Sequence, residues 1–90
     1  MIETYIKKPV AVQAIIWTGD NEEEITSFVG AHCCVTIEHT MNGVKKNLII
    51  YTLEGYHCAS MGDYIVKGIK GEFYPVKPDI MKLTYDEVTE

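Results

Sequence analysis

The chain has little of three things. No apolar run approaches the roughly 18 residues that cross a bilayer as a helix, and the opening MIETYIKKPV lacks the apolar core of a signal peptide. No membrane partner is therefore expected, and the chain is placed in the cytoplasm. Positive charge is scarce: eight Lys and Arg stand against thirteen Asp and Glu, a formal net charge of -5. A protein that grips a nucleic-acid backbone needs a basic face, so direct nucleic-acid binding is not expected; the imbalance is also too mild to mark a DNA mimic. Cysteine is limited to Cys33, Cys34 and Cys58. An odd number with two adjacent makes no disulfide framework, and in a reducing compartment these residues read as small apolar side chains. Repeats, linkers and low-complexity segments are missing as well.

What is present is one domain, residues 1–90, with 47% hydrophobic residues. A chain this short buries only about two-thirds of its unfolded surface, so self-association would help it and a homo-oligomer is expected.

KKPVAVQAIIWTG alternates β-branched residues on two faces and predicts a strand with Pro9 at its start, where no ladder donor is needed. GDNEEEITSFVGA predicts a short helix. Asp20 or Asn21 caps it, acids fill its first turn, Ile25, Phe28 and Val29 form a stripe, and Gly30 stops it. From Cys33 the period changes to two. Asn42-Gly43 between alternating runs signals a hairpin, pairing Ile37 with Leu48 and Val35 with Ile50. Glu54-Gly55 reverses the chain again and pairs Ile50 with Ala59; MGDY and GIKG mark further turns. Lys77-Pro78-Asp79 reads as the entry to a single helical turn, with Asp79 capping IMKL, and LTYDEV as a last strand or tail. The expected fold class is α+β: a small antiparallel β-meander sheet of about five to six strands with one short α-helix near the N-terminus. One sheet face collects Val35, Ile37, Leu48, Ile50, Ala59 and Met61 as core. The other collects Thr36, Glu38, Asn47, Ile49, Tyr51, Tyr56, Cys58 and Ser60, the mixture of an interface, with Tyr51 and Tyr56 as candidate contact residues.

His32-Cys33-Cys34 with His57-Cys58 raises the question of zinc. On the derived register Cys33, Thr52 and His57 align across three strands, as do Cys34, Tyr51 and Cys58. Ligands two strands apart are separated by about 9–10 Å, too far for one metal, so no metal site and no cofactor are expected. Asp63 and Glu72 flank the next hairpin and are weighed as paired acids, but Asp63 after Gly62 is more simply a turn residue. Gly68-Ile69-Lys70-Gly71 lacks the Walker pattern and precedes a strand, so it reads as a hairpin turn with glycines at positive φ. That turn leaves unexplained the density of Lys67, Lys70 and Lys77 beside Phe73, Tyr74 and Pro75, a combination able to stack a base and neutralise its phosphate.

The two ends of the chain, YIKKPVAVQAIIWTGDN and GDYIVKGIKGEFYPVKPDIMKLTYDE, resemble a family of small proteins encoded by tailed phages and prophages. Its members carry P-V-x-V-x-A near the start and end with G-D-[YW]-I-[IV]-K-G-x-x-G-E-F-Y-P-C-K-P-D-I-F. Trp17, Gly62, Asp63, Lys67, Gly68, Gly71, Glu72, Phe73, Tyr74, Pro75, Lys77, Pro78 and Asp79 are among the matching positions. Met61 stands where proline is usual, Val76 for cysteine and Met81 for phenylalanine; Val76 argues against thiol chemistry at that position. The resemblance implies an accessory protein acting in the host cell, and such proteins act mostly by binding. No acid, base and nucleophile trio is visible, so a non-catalytic role is expected. The first reading is an inhibitor of a host protein or defence system, using Tyr51 and Tyr56. The alternative is sequestration of a small anionic ligand, a nucleotide signal, by Trp17, Lys67, Lys70, Glu72, Tyr74 and Lys77. A structural or assembly role in the virion is the third.

Overall fold

Strand β1, Gln13–Ile16, opens the regular structure in a computed structural model that describes residues 1–89. It is followed by α1 (Glu22–Val29), a 3-10 turn (Gly30–His32), β2 (Cys33–Thr40), β3 (Gly43–Thr52), β4 (Gly55–Ala59), β5 (Tyr64–Lys67), β6 (Phe73–Val76) and α2 (Pro78–Thr84). The α+β class holds. The strands form two antiparallel three-stranded sheets, ordered β1-β5-β6 and β2-β3-β4, where the sequence predicts one. A second helix, α2, also extends the expected single turn: its N-cap is Lys77 and Pro78 opens its first turn, so Asp79 lies inside that turn and does not cap it, and residues 85–89 form a tail and no strand. Proline suits that place because its missing N–H would be unpaired there in any case.

The break between sheets has a local cause. Ser60–Asp63 closes on itself, with Asp63 N donating to Ser60 O at 2.9 Å. The turn then bonds to the end of β1: Gly62 N donates to Trp17 O at 2.7 Å and Trp17 N to Asp63 O at 2.9 Å. The chain leaving β4 is thereby delivered to β1, and β5 pairs there, Ile15 opposite Ile65. β1 is shorter than the predicted strand because Gln13 already faces Lys67, the last residue of β5, so residues 7–12 have no partner strand.

Both predicted hairpins form, each turning one residue early. Thr40 faces Gly43 and Thr52 faces Gly55, so Met41-Asn42 and Leu53-Glu54 make the turns. An Asn-Gly turn of the expected kind needs Asn at positive φ, and among the described residues only glycines have positive φ, including Gly43 at +124° and Gly55 at +117° after these two turns. The threonine before each turn donates its hydroxyl to the glycine carbonyl at 2.9 Å. Val35 therefore faces Leu48, and Ala59 also faces Leu48, a slip of two residues from the predicted register. A slip of two leaves every side chain on its predicted face.

Trp17, Ile25, Val29, Leu48, Ile50, Ala59, Ile65 and Phe73 form the core, where α1 and β6 close over the inner face of β2-β3-β4. Phe28 meets the Phe73 ring edge to face, centroids 5.5 Å apart. Two predicted core residues lie outside. Met61 sits in the exposed turn, and Ile37 is on the correct face but in the part of the β2-β3 hairpin that overhangs the body. In α1 the predicted stripe faces inward, with Ile25 and Val29 buried. Asn21 is the N-cap residue, yet its side chain turns back, accepting from Thr18 N at 2.9 Å and donating to Ile16 O at 2.8 Å.

Candidate functional site

The two sheets meet where β6 lies against β3 and β4, and there they leave a groove of about 340 Å³. One wall is the β3-β4 turn, Thr52, Leu53 and Glu54, with His57 from β4; the other is Glu72 and the strand Phe73, Tyr74 and Pro75. Local sequence positions each wall. The early turn brings Leu53 and Glu54 to the tip of a tight hairpin, and the Gly68–Glu72 loop returns the chain to β6 with Gly68 N donating to Glu72 O at 2.7 Å and Gly71 at φ +81°. Gly68 itself has no positive φ, contrary to the predicted turn. It is needed for space, because a Cβ there would lie 2.0 Å from Glu72 Oε1 and 3.1 Å from Tyr74 Cε1. The Glu72 carboxyl is folded over the Gly68 backbone, and its Oε2 is buried with no hydrogen-bond partner.

Tyr74 continues the wall into a chain of polar groups. Lys7 Nζ donates to Tyr85 Oη at 2.6 Å and also lies 4.4 Å from the Tyr85 ring centre. Burial first, then hydrogen bonding with Tyr85 and the charges of Tyr85 and Glu72, push the Tyr74 phenol up to about 12. The Lys7 contact lowers Tyr85 below the ordinary phenol value. Tyr74 thus stays a neutral hydroxyl to higher pH than a free phenol does. The groove combines apolar surface from Leu53 on one wall and Phe73 and Pro75 on the other with two carboxyl groups, an imidazole and a phenol. Such a lining suits a ligand with an apolar body and positive or hydrogen-bond-donating groups.

The predicted ligand residues are scattered. Glu72 and Tyr74 line the groove. Trp17 does not join them: it is 1% exposed, with no free ring face for stacking a base. Lys67 closes β5 on an exposed position and Lys70 stands at the tip of the next loop, neither in the groove wall. Lys77 lies at the opposite end of the β5-β6 hairpin, donating to Asp63 Oδ2 at 3.1 Å and to Ser60 Oγ at 3.2 Å. Asp63 and Glu72 do not approach one another: Glu72 lies level with Gly68, five residue steps from Asp63, about 17 Å of strand rise away. Tyr51 and Tyr56 do come together, directly paired across β3 and β4 on the outer face. His57 and Glu54 were not expected in a site with Glu72, and no local signal marks them, because the groove exists only once the sheets pack.

Cys33 and Cys34 are half-buried and Cys58 is exposed. Cys33 aligns with Ile50 and His57, and Cys34 with Ile49 and Cys58. The two register slips cancel across three strands, so the cysteine and histidine pairs stay two strands apart as derived. Among the described residues no three of His, Cys, Asp and Glu gather to hold a metal. Burial, and secondarily Cys34, raise the Cys33 thiol above its ordinary value, away from the thiolate a nucleophile needs. Comparison with protein-family models, with curated proteins and with solved structures returns no match to this chain.

Proposed function

We propose that this chain is a non-catalytic binding protein of phage or prophage origin that occludes a host protein with the outer face of β2-β3-β4. The observation that carries the reading is the Tyr51/Tyr56 pair. The two residues face each other across β3 and β4, 46% and 69% exposed, on the same sheet face as the Ile49–Cys58 pair, where Cys58 is exposed as well. Paired tyrosines offer large contact area at low entropic cost, and aromatic anchors of this kind dominate interface energetics. The test is Tyr51→Ala/Tyr56→Ala in a protein isolated with its host partner. The expected result is a complex weakened by about 2 kcal/mol or more, roughly thirtyfold, at unchanged melting temperature. A complex of undiminished affinity would refute the assignment of this face.

The groove supports a second reading, a small-ligand binder, with a changed ligand class. Glu54 and Glu72 repel the phosphate of a nucleotide, whereas an organic cation with an apolar body would be drawn to the two acidic residues and pack on Phe73 and Pro75. Native mass spectrometry of gently purified protein separates the two readings: a small adduct lost in Glu72→Ala favours the groove, and a bound host polypeptide lost in the tyrosine variant favours the outer face.

A further inference from the structure

We infer that Asn42 is a site of self-modification: the Gly43 amide nitrogen closes on the Asn42 side chain, expels ammonia and leaves isoaspartate and aspartate at the tip of the β2-β3 hairpin. The chain's three asparagines differ in what holds them. Asn21 is fixed at both ends of its amide, accepting from Thr18 N at 2.9 Å and donating to Ile16 O at 2.8 Å, and Glu22 follows it into α1. Asn47 lies within the β3 ladder, donates to Glu38 Oε2 at 3.2 Å and is followed by the fully buried Leu48. Asn42 is exposed in the turn, its side chain has no hydrogen bond among the described residues, and a glycine comes next.

The following residue decides whether the nitrogen can reach the side chain. Gly43 has no Cβ to shield its N–H, and nothing lies within 4 Å of where a Cβ would stand. The closed turn opposes the reaction, because Asn42 must rotate out of it to bring Cγ over the Gly43 nitrogen. Thr40 faces Gly43, and the Thr40 hydroxyl latches the turn by donating to Gly43 O at 2.9 Å. Little else holds the tip. Every residue from Thr36 to Lys45 is exposed, so this half of the hairpin is a bare two-stranded ribbon, overhanging the body. A ribbon of that kind is marginally stable in water, and it opens at far lower cost than the core.

Water is the one co-reactant. The Gly43 nitrogen gives up its proton and attacks Asn42 Cγ; the new N–C bond forms as the Cγ–Nδ2 bond breaks, and ammonia leaves with the proton. Water then adds to one of the two carbonyls of the cyclic imide. Addition at Cγ returns an ordinary aspartate, whereas addition at the main-chain carbonyl carries the chain through Cγ as isoaspartate. The isoaspartate adds a main-chain carbon to a two-residue turn, which breaks the Thr40–Gly43 pairing and leaves the buried pairs from Leu48 onward intact.

The test holds the full chain at mildly alkaline pH and physiological temperature, folded and in urea, and follows it by intact mass and peptide mapping. The folded chain should gain the mass of an amide-to-acid exchange at Asn42 and not at Asn21 or Asn47, at a rate that rises with hydroxide. An isoaspartate-specific carboxyl methyltransferase should label the product, and Asn42→Gln should abolish it, since its longer side chain closes a ring poorly. Thr40→Val, which removes the latch, should speed the reaction about threefold or more, the worth of one exposed hydrogen bond, at unchanged melting temperature. A folded chain that keeps Asn42 intact after the unfolded chain has lost it, equal loss at all three asparagines of the folded chain, or aspartate without isoaspartate would overturn the site. A Thr40→Val rate equal to that of the wild type would overturn the latch.

Discussion

Asp63 and Glu72 stand at the two ends of one hairpin, and their surroundings are opposite. The Asp63 side chain, 4% exposed, accepts from Ser60 N at 2.8 Å and from Lys77 at 3.1 Å, and its backbone carries the bond to Trp17 that steers β5 onto β1. Glu72 folds over a glycine with one oxygen buried and unpartnered. Asp63 Oδ2, with two donors, ties its turn together, whereas the buried and unpartnered Glu72 Oε2 carries a desolvation cost of about 1–3 kcal/mol. The sequence alone ranks the two equally, since each is an acid beside a glycine at a turn. Only the partners separate them.

Three substitutions sharpen that contrast, taken from the largest effect down. Asp63→Ala removes the acceptor of the part-buried Ser60 N–H and of Lys77, and loosens the turn that meets β1. It should cost about 2–3 kcal/mol in denaturant unfolding, and a loss below about 0.5 kcal/mol would mean that the turn holds without its carboxylate. Gly68→Ala should cost about 1 kcal/mol, because the new methyl displaces the Glu72 carboxyl, the end of a flexible side chain. The cost should shrink in the Gly68→Ala/Glu72→Ala pair, and strict additivity of the two changes would show that they do not meet. Glu72→Gln should be nearly neutral at pH 7 and act on Tyr74. With its folded pKa raised to about 12, Tyr74 contributes stability that is full below the ordinary phenol pKa of about 10 and is lost as pH climbs toward 12. Removing the Glu72 charge should lower the Tyr74 value and narrow this window from above, as followed by phenolate absorbance. Tyr85, lowered by Lys7, should ionise before Tyr74 in the same titration.

The parts legible in the sequence are the ones fixed within a few residues. Helix α1, the two hairpins of β2-β3-β4, the helical start at Lys77-Pro78 and the division of residues between inner and outer faces all follow from caps, glycines and periodicity. The hairpin registers were displaced because Asn42-Gly43 suggests a turn in which Asn adopts positive φ, whereas the threonine-to-glycine bond moves the turn one residue toward the N-terminus. The second sheet was not legible. A meander reading pairs β5 with β4, and what redirects β5 is a pair of backbone bonds between Trp17 and a turn more than forty residues away. Trp17 was misplaced for the same reason: the sequence shows an aromatic near a turn, and only the packing shows that α1 and both sheets enclose it. The groove depends on the contact of β6 with β3 and β4, so Glu54 and His57 had no local mark.

The distance along the chain between β1 and its partner also sets an order of events during synthesis. Ile15 pairs with Ile65, fifty residues later, whereas every bond of β2-β3-β4 joins neighbours in sequence. Local hairpins close fast and distant pairings slowly. The first strand to leave the ribosome is therefore the last to dock, and Ile15, Ile16 and Trp17 emerge as an apolar segment with no partner yet made. Asp20 and the run Glu22-Glu23-Glu24 follow directly behind. In the nascent chain those acids sit where gatekeeper charges suppress aggregation of an unprotected strand, a task they complete before the helix they later begin has anything to pack against.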